Sequence, residues 1–457
     1  MTTKQLSLFD VTIITISFVI GMGIFRTPIN VAHSISSPFV YYLLWIAGGL
    51  IALCGSLTFA EIGSRLPVTG GYYKIFSFAY HPSIAFSVNC VILVSNAASV
   101  AGVALVGAEY ITGIMIPLFV ENGWIATASS VNVNAAQMTI ALSSIIIFYG
   151  VNLVGLKMSA RTLNVLMIIK ILLVILLITP LFFAPAATTQ IIHSSAVHQS
   201  VTEYIKAFGV GLVAVSFTYG GYQQSINFGA EVREPRKTVP RGIITGMLLI
   251  IILYLLINYA YIRVIGFDQL KTSSNIAAIM ASRIFGVNAE RILSGVLFLG
   301  VLAYVNVMVM SNPRVMAAMS EDKILPPAFR KRNLRTNVLT LSLTVFSLLC
   351  AVIIFFAEQF DTILSFSIFL DSIGMVLAAA SVFILRKRTS HLNKADIYTM
   401  KLYPVMPIIF ITAYTFVAFI LMITQTKLAL IGIGVMIAFI ILYFAVSKIQ
   451  AAQKHLP

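Results

Sequence analysis

Gly21-Met22-Gly23-Ile24-Phe25 interrupts the first apolar run of this chain, and Phe217-Thr218-Tyr219-Gly220-Gly221-Tyr222 interrupts the sixth. Each break falls midway through its run. Glycine lacks a Cβ and costs about 1 kcal/mol in a helix interior, so paired glycines are where a helix unwinds most cheaply. Backbone N–H and C=O groups freed in this way are tolerated at membrane depth only where they line a cavity. Small residues in apolar helices also serve helix packing, but breaks in matching places of two runs favour unwinding.

The runs themselves read as membrane spans. Of 457 residues, 59% are hydrophobic and 10% charged, and a mean hydropathy of +0.97 excludes a soluble protein. Stretches such as Leu163 to Leu177 and Met247 to Ile257 lack the alternation of a barrel strand. That leaves helices of about 20 apolar residues. Spans are predicted at 11–33, 39–65, 82–116, 135–155, 160–184, 204–230, 239–262, 288–317, 336–356, 361–385, 401–424 and 428–447. The chain therefore reads as an all-α polytopic membrane protein of twelve transmembrane helices, one domain over 1–457. The first span has Lys4 as its only basic flank and continues past its glycines, so it is expected to stay in the mature protein.

Five spans separate the two breaks, an odd number, so a second five-helix unit enters the membrane from the opposite side. The predicted halves are 11–184 and 204–385, an inverted repeat with broken helices 1 and 6, with two added helices within 401–447. Interrupted helices in matching positions of inverted halves point to a transporter site. With a cytoplasmic amino terminus, about 22 Lys and Arg fall inside against about 6 outside, the asymmetry of the positive-inside rule. Both termini are thus expected in the cytoplasm of a cell-membrane protein, and the net charge of +15 reflects orientation rather than nucleic-acid binding. Cys54, Cys90 and Cys350 lie in apolar stretches without CxxC spacing and read as small packing residues.

The broken backbone suggests a ligand. N–H groups opening the second half of helix 1, at the positive end of its dipole, suit a carboxylate. Carbonyls of Phe217 and Thr218, at the negative end of the first half of helix 6, suit an ammonium group. A ligand carrying both on one carbon is an α-amino acid. Arg26, Glu109, Lys170 and Asp371 also lie within spans, away from their basic flanks. An intramembrane charge costs at least about 2.5 to 3.5 kcal/mol at a helix centre, so such residues face a cavity or a partner. Snorkelling is the plainer reading for Glu109, late in an outward-running helix, and less so for the deeper Lys170 and Asp371.

At these residues the chain resembles the amino acid, polyamine and organocation transporter superfamily, and within it the L-type amino acid transporter branch. The matching strings are Gly21-Met22-Gly23-Ile24-Phe25 with Pro28, Phe59-Ala60-Glu61-Ile62-Gly63 with Gly70-Gly71-Tyr72, Phe217 to Tyr222 leading to Glu231, Pro235 and Pro240, and Arg314 through Pro326. The resemblance implies the LeuT-like five-plus-five inverted fold with two added helices. It places the family's carboxylate-binding turn on Gly21, Met22 and Gly23, its amine-binding carbonyls on Val19, Phe217, Thr218 and Gly220, and its gating aromatic on Tyr222. Met22 replaces the family's small Ser, which keeps a backbone N–H and loses a hydroxyl. Arg26 is unusual there and would meet the carboxylate or pair with Glu109 or Asp371. Lys170 resembles a lysine standing where sodium-coupled relatives hold sodium, and is expected to reach carbonyls freed in helix 1, with Ser311 or Asn312 of helix 8 nearby; Pro313 departs from the family's small polar residue. The resemblance thus implies sodium-independent transport, and because burial disfavours a charged amine, proton coupling stays open beside exchange and facilitated diffusion. Ser64 to Phe78 resembles the family's first cytoplasmic loop, which packs under the substrate path.

The reading is a secondary active or facilitative amino acid permease or exchanger working by alternating access across a lipid bilayer. A polyamine or other organic cation is the alternative substrate, kept open by Glu109 and Asp371, and a channel is a third class. No HExxH or GxxxxGK[ST] string supports an enzyme, the six histidines lack metal-ligand spacing, and no cofactor, metal or obligate protein partner is expected.

Overall fold

Ser7 starts the first helix. Its hydroxyl accepts the Asp10 N–H at 3.3 Å while the Asp10 carboxylate accepts the Ser7 N–H at 2.9 Å, a reciprocal cap. The computed structural model describes residues 5–21, 23–183, 200–272, 276, 279–280, 289–356 and 360–454. The first run is two helices, α1 (Leu8–Val19) and α2 (Gly23–Ser34). Then come α3 (Pro38–Arg65), α4 (Gly71–Ala79), α5 (Pro82–Glu121), α6 (Val133–Val154), α7 (Leu156–Ile178), the short α8 (Pro180–Phe183) and α9 (Val201–Tyr219). Two 3-10 segments, Tyr222–Asn227 and Gly229–Glu231, lead into α10 (Pro235–Ile265) and α11 (Phe267–Thr272). The chain ends in α12 (Ala289–Glu321), α13 (Thr340–Ile354), α14 (Phe360–Arg388), α15 (Val405–Thr424) and α16 (Thr426–Lys454).

Among the described residues, 11 helical stretches are long and apolar enough to cross a membrane, and Thr340–Ile354 is a shorter apolar helix. The ninth expected span, 336–356, thus begins late. Asn333 is the reason: its side-chain oxygen accepts the N–H groups of Arg335 and Thr336 at 2.9 and 3.2 Å, and its own N–H bonds the Val338 carbonyl at 2.8 Å. With Asn337 at φ +58, this turn holds 333–338 out of the helix. The sixth expected span, 204–230, is present as Val201–Asn227 and breaks where expected, at Tyr219, but beyond the break it is 3-10 rather than a second α-helical half.

Large apolar side chains, among them Phe39, Ile146, Leu172, Phe419 and Ile441, cover the outside, while Asn, Gln, Ser and Thr side chains are buried within. Soluble proteins show the reverse; this is the surface of a multi-pass membrane protein, whose helices satisfy their own backbone in lipid. Inside, α3 packs on α10, α5 on α12, and α1 on both α7 and α10. Trp45 anchors the first of these contacts, its ring set against Tyr219 and Tyr254 at centroid distances of 5.9 and 6.2 Å.

Candidate functional site

The two breaks lie against each other. Gly221 has φ +109, and a β-carbon there would stand 2.5 Å from the Phe18 carbonyl oxygen, so both its dihedral and its space demand glycine. A β-carbon on Gly23 would meet the Thr218 side chain at 3.1 Å. Gly21, Gly23, Gly220 and Gly221 are all partly exposed although Ile20, Ile24, Tyr219 and Tyr222 beside them are buried. Met22, a candidate for the same turn, lies outside the described residues.

The freed carbonyls are unequally available. Val19 C=O already accepts the Gly21 N–H at 2.7 Å and the Tyr254 hydroxyl at 3.0 Å, which engages both its lone pairs. Phe217 C=O accepts the Gly220 N–H at 3.1 Å and keeps one lone pair. The Thr218 hydroxyl turns back to the Ala214 carbonyl at 2.9 Å, while the side chain itself faces Gly23. Ile20 C=O accepts from Lys170 Nζ, and Lys170 is 1% exposed, so a buried amine sits on the carbonyl that the first break frees.

Ser311 and Asn312 are not on Lys170. Gly300 is the α12 residue beside its stem, where a β-carbon would stand 3.0 Å from Lys170 Cε. Ser311 Oγ instead accepts from Asn227 Nδ2 at 3.1 Å, and Asn312 Oδ1 from Asn96 Nδ2 at 2.7 Å. Asn96 also takes Gln224 Nε2 at 3.1 Å on its own side-chain oxygen, and Thr15 meets Ser225 at 2.9 Å. These bonds tie the polar 3-10 segment after the second break to α1, α5 and α12. Asn96, Gln224, Ser225 and Asn227 are not among the residues that the sequence singled out, although four polar residues close behind a glycine pair in an apolar run are a legible signal.

Tyr222 is fully buried, with its ring 6.0 Å from that of Phe59 and its hydroxyl packed on Gly55, so it is held in the protein core. Arg26 and Glu109 are exposed and lie near Tyr110. Asp371 is elsewhere, among Tyr72, Tyr222, Tyr304 and Tyr414, and no ion pair joins it to Arg26. Among the described residues no group of His, Cys, Asp and Glu could hold a metal ion.

Two buried carboxylates pin the loops below the breaks. Glu61 accepts from Arg65 Nε at 2.8 Å, from both Nε and Nη2 of Arg386 at 2.7 Å, and from the Met400 N–H at 2.9 Å. Glu231 accepts from Arg314 Nε at 2.7 Å and from Arg332 at 3.3 Å, and its carbonyl receives the N–H groups of Gln5 and Leu6 at 2.9 and 3.1 Å. The loop expected at Ser64 to Phe78 contains α4, whose Tyr72, Tyr73, Ile75 and Phe76 are buried. The Tyr72 N–H donates to the Asn227 side-chain oxygen at 2.9 Å, which places α4 directly under the second break.

A family model described as amino acid permease matches residues 6–446. The chain belongs to the amino acid permease family. This permease is therefore a membrane transporter of the amino acid, polyamine and organocation superfamily and not an enzyme. It is 29% identical over 454 residues to the serine/threonine exchanger SteT of Bacillus subtilis, an alignment covering 98% of each chain. It is 24% identical over 397 residues to the human cystine/glutamate transporter, covering 86% of this permease and 75% of that one. A methylthioribose transporter of Bacillus subtilis is 24% identical over 341 residues, with 72% and 69% covered.

Proposed function

We propose that this permease carries α-amino acids across the cell membrane by alternating access, without sodium, as an exchanger or facilitator. The observation that carries the reading is the pair of breaks in contact, Gly221 on Phe18 and Gly23 beside Thr218, with partly exposed backbone between them. In this reading the α1/α2 break, Gly21 to Gly23 with Met22 between, takes the carboxylate. The remaining carbonyl capacity of Phe217, Thr218 and Gly220 takes the amine. Both termini are cytoplasmic, and 11–184 and 204–385 are inverted halves that rock about this site. Lys170 supplies at the first break the positive charge that a sodium ion would otherwise bring. Being fixed, it leaves the carrier no sodium to move, with proton movement as the remaining coupling option.

The serine/threonine and cystine/glutamate substrates of its relatives support an amino acid as cargo, and SteT supports exchange. A second reading, a polyamine or other organic cation, draws on the carboxylate of Asp371, which no cation pairs among the described residues. Competition against labelled uptake separates the two. α-Amino acids should compete and the corresponding amines, lacking the carboxylate, should not; amines that compete as well as their amino acids would remove the carboxylate contact from the first break. Saturable uptake stimulated by substrate inside the vesicle would separate a carrier from a channel.

A further inference from the structure

Asp371 is the acid that the two breaks leave unused. On α14 it is in helical register with Met375, Ala378 and Val382, all fully buried, so that face packs on protein and not on lipid. Asp371 itself is partly exposed. A partly exposed acid on an otherwise buried face borders space that the protein does not fill.

Tyrosines from four elements come close enough to feel its charge: Tyr72 of α4, Tyr222 after the second break, Tyr304 of α12 and Tyr414 of α15. Among the described residues, none of them and no cation bonds its carboxylate. Their hydroxyls point to other partners: Tyr304 to Ser99 at 2.8 Å, Tyr414 to the Ser216 carbonyl at 3.5 Å, and Tyr72 to the Met375 sulfur at 3.8 Å. The Tyr222 hydroxyl, fully buried, has no hydrogen-bond partner among the described residues. A carboxylate left without a donor at membrane depth, near a buried hydroxyl that is itself unpartnered, is a place for a ligand that donates hydrogen bonds. Tyr304 joins that space to the first break, since a β-carbon on Gly21 would stand 3.8 Å from its ring. The wall therefore runs from Gly21 through Tyr304 to Asp371.

We propose that Asp371 is the side-chain subsite of this carrier, taking the terminal ammonium or guanidinium of a basic α-amino acid whose α-carbon groups sit at the helix breaks. The proposal rests on the amino acid reading above and adds to it a preference for cationic side chains. A charged pair formed only when substrate is bound removes the cost of a lone carboxylate in the membrane interior. A neutral side chain of the same length leaves that cost in place.

The test is uptake by the reconstituted full-length protein of labelled L-lysine against L-norleucine, which keeps the α-carbon groups and lacks the terminal ammonium. Wild-type protein should favour lysine about tenfold or more in kcat/KM. Asp371→Asn should erase most of that preference while norleucine uptake persists, and Asp371→Glu should retain it. Equal handling of the two substrates by wild type, or an unchanged preference in Asp371→Asn, would overturn the proposal. So would an equal loss of both substrates in well-folded Asp371→Asn, which assigns the acid to coupling or structure. Should Asp371→Asn fail to reach the membrane, the wild-type ratio and Asp371→Glu decide. Wild type that takes up a diamine such as putrescine and neither amino acid contradicts the amino acid reading itself, and the proposal with it.

Discussion

Gly221 of the second break lies against Phe18 of the first so closely that any β-carbon at 221 would sit 2.5 Å from the Phe18 carbonyl oxygen. Neither helix can re-form through its break without pushing the other away. Gly221→Ala should therefore combine a clash with a φ of +109, a strain of about 1 to 3 kcal/mol. Gly220→Ala, with φ −72 and its nearest contact at 3.3 Å, should cost far less. Thermal unfolding in detergent measures both, and a Gly221→Ala midpoint equal to that of Gly220→Ala would deny the interlock.

Glu61 is fully buried and holds two arginines. Removing one partner of a buried pair costs about 3 to 5 kcal/mol because the other charge is left uncompensated. Glu61→Ala should lower the thermal midpoint more than Lys74→Ala, whose pairs with Glu321 and Asp322 are partly exposed. Equal midpoints would show that Glu61 does not tie α3 to α14 and the Met400 backbone.

Asp322 gives the acid dependence a local source outside the spans. Burial works against its charge, but hydrogen bonds from Lys74 and Ser77 outweigh burial and hold its carboxyl below the ordinary 3.8. A lowered folded value means stability that is present above the unfolded pKa and lost as pH falls through the folded one. Stability curves of wild type and Asp322→Asn should converge as pH drops below 3.8. Parallel curves down to low pH would show that the Lys74 contact contributes nothing.

The glycine pairs were legible because backbone chemistry is local: a run of apolar residues cannot hide two glycines that cost it helix. Lys170 was legible for a related reason, since a lone ammonium among Ile and Leu must find freed carbonyls, and Ile20 C=O is one. The segment beyond Gly221 was not legible in the same way. Tyr222–Asn227 is 3-10 rather than α because its polar side chains bond α5 and α12, partners about 84 to 128 residues away in sequence. The ninth span was overestimated because its apolar count ignores Asn333, whose side chain caps a turn instead of a helix. The inward orientation of Tyr222 and the separation of Arg26 from Asp371 are properties of packing that spacing alone does not encode.

Orientation is tested by impermeant thiol labelling of single cysteines introduced after removal of Cys54, Cys90 and Cys350. A cysteine at position 193, in the fifth connection, should label from outside intact cells. One at Asn333, in the turn beside Lys331 and Arg332, should label only after permeabilisation. The opposite pattern would invert the topology and place the Glu61 and Glu231 clusters on the outer face.

The most direct measurement is uptake of labelled L-serine into vesicles holding purified protein and internal unlabelled serine, in sodium-free buffer, for wild type and Lys170→Ala. Saturable, trans-stimulated uptake by wild type is expected to proceed at an undiminished rate without sodium. Lys170→Ala should lose about tenfold or more of that rate, since a hydrogen bond to a charged group contributes about 1.5 to 3 kcal/mol, while purifying as folded protein. Strict dependence on sodium, together with full activity in Lys170→Ala, would contradict the account.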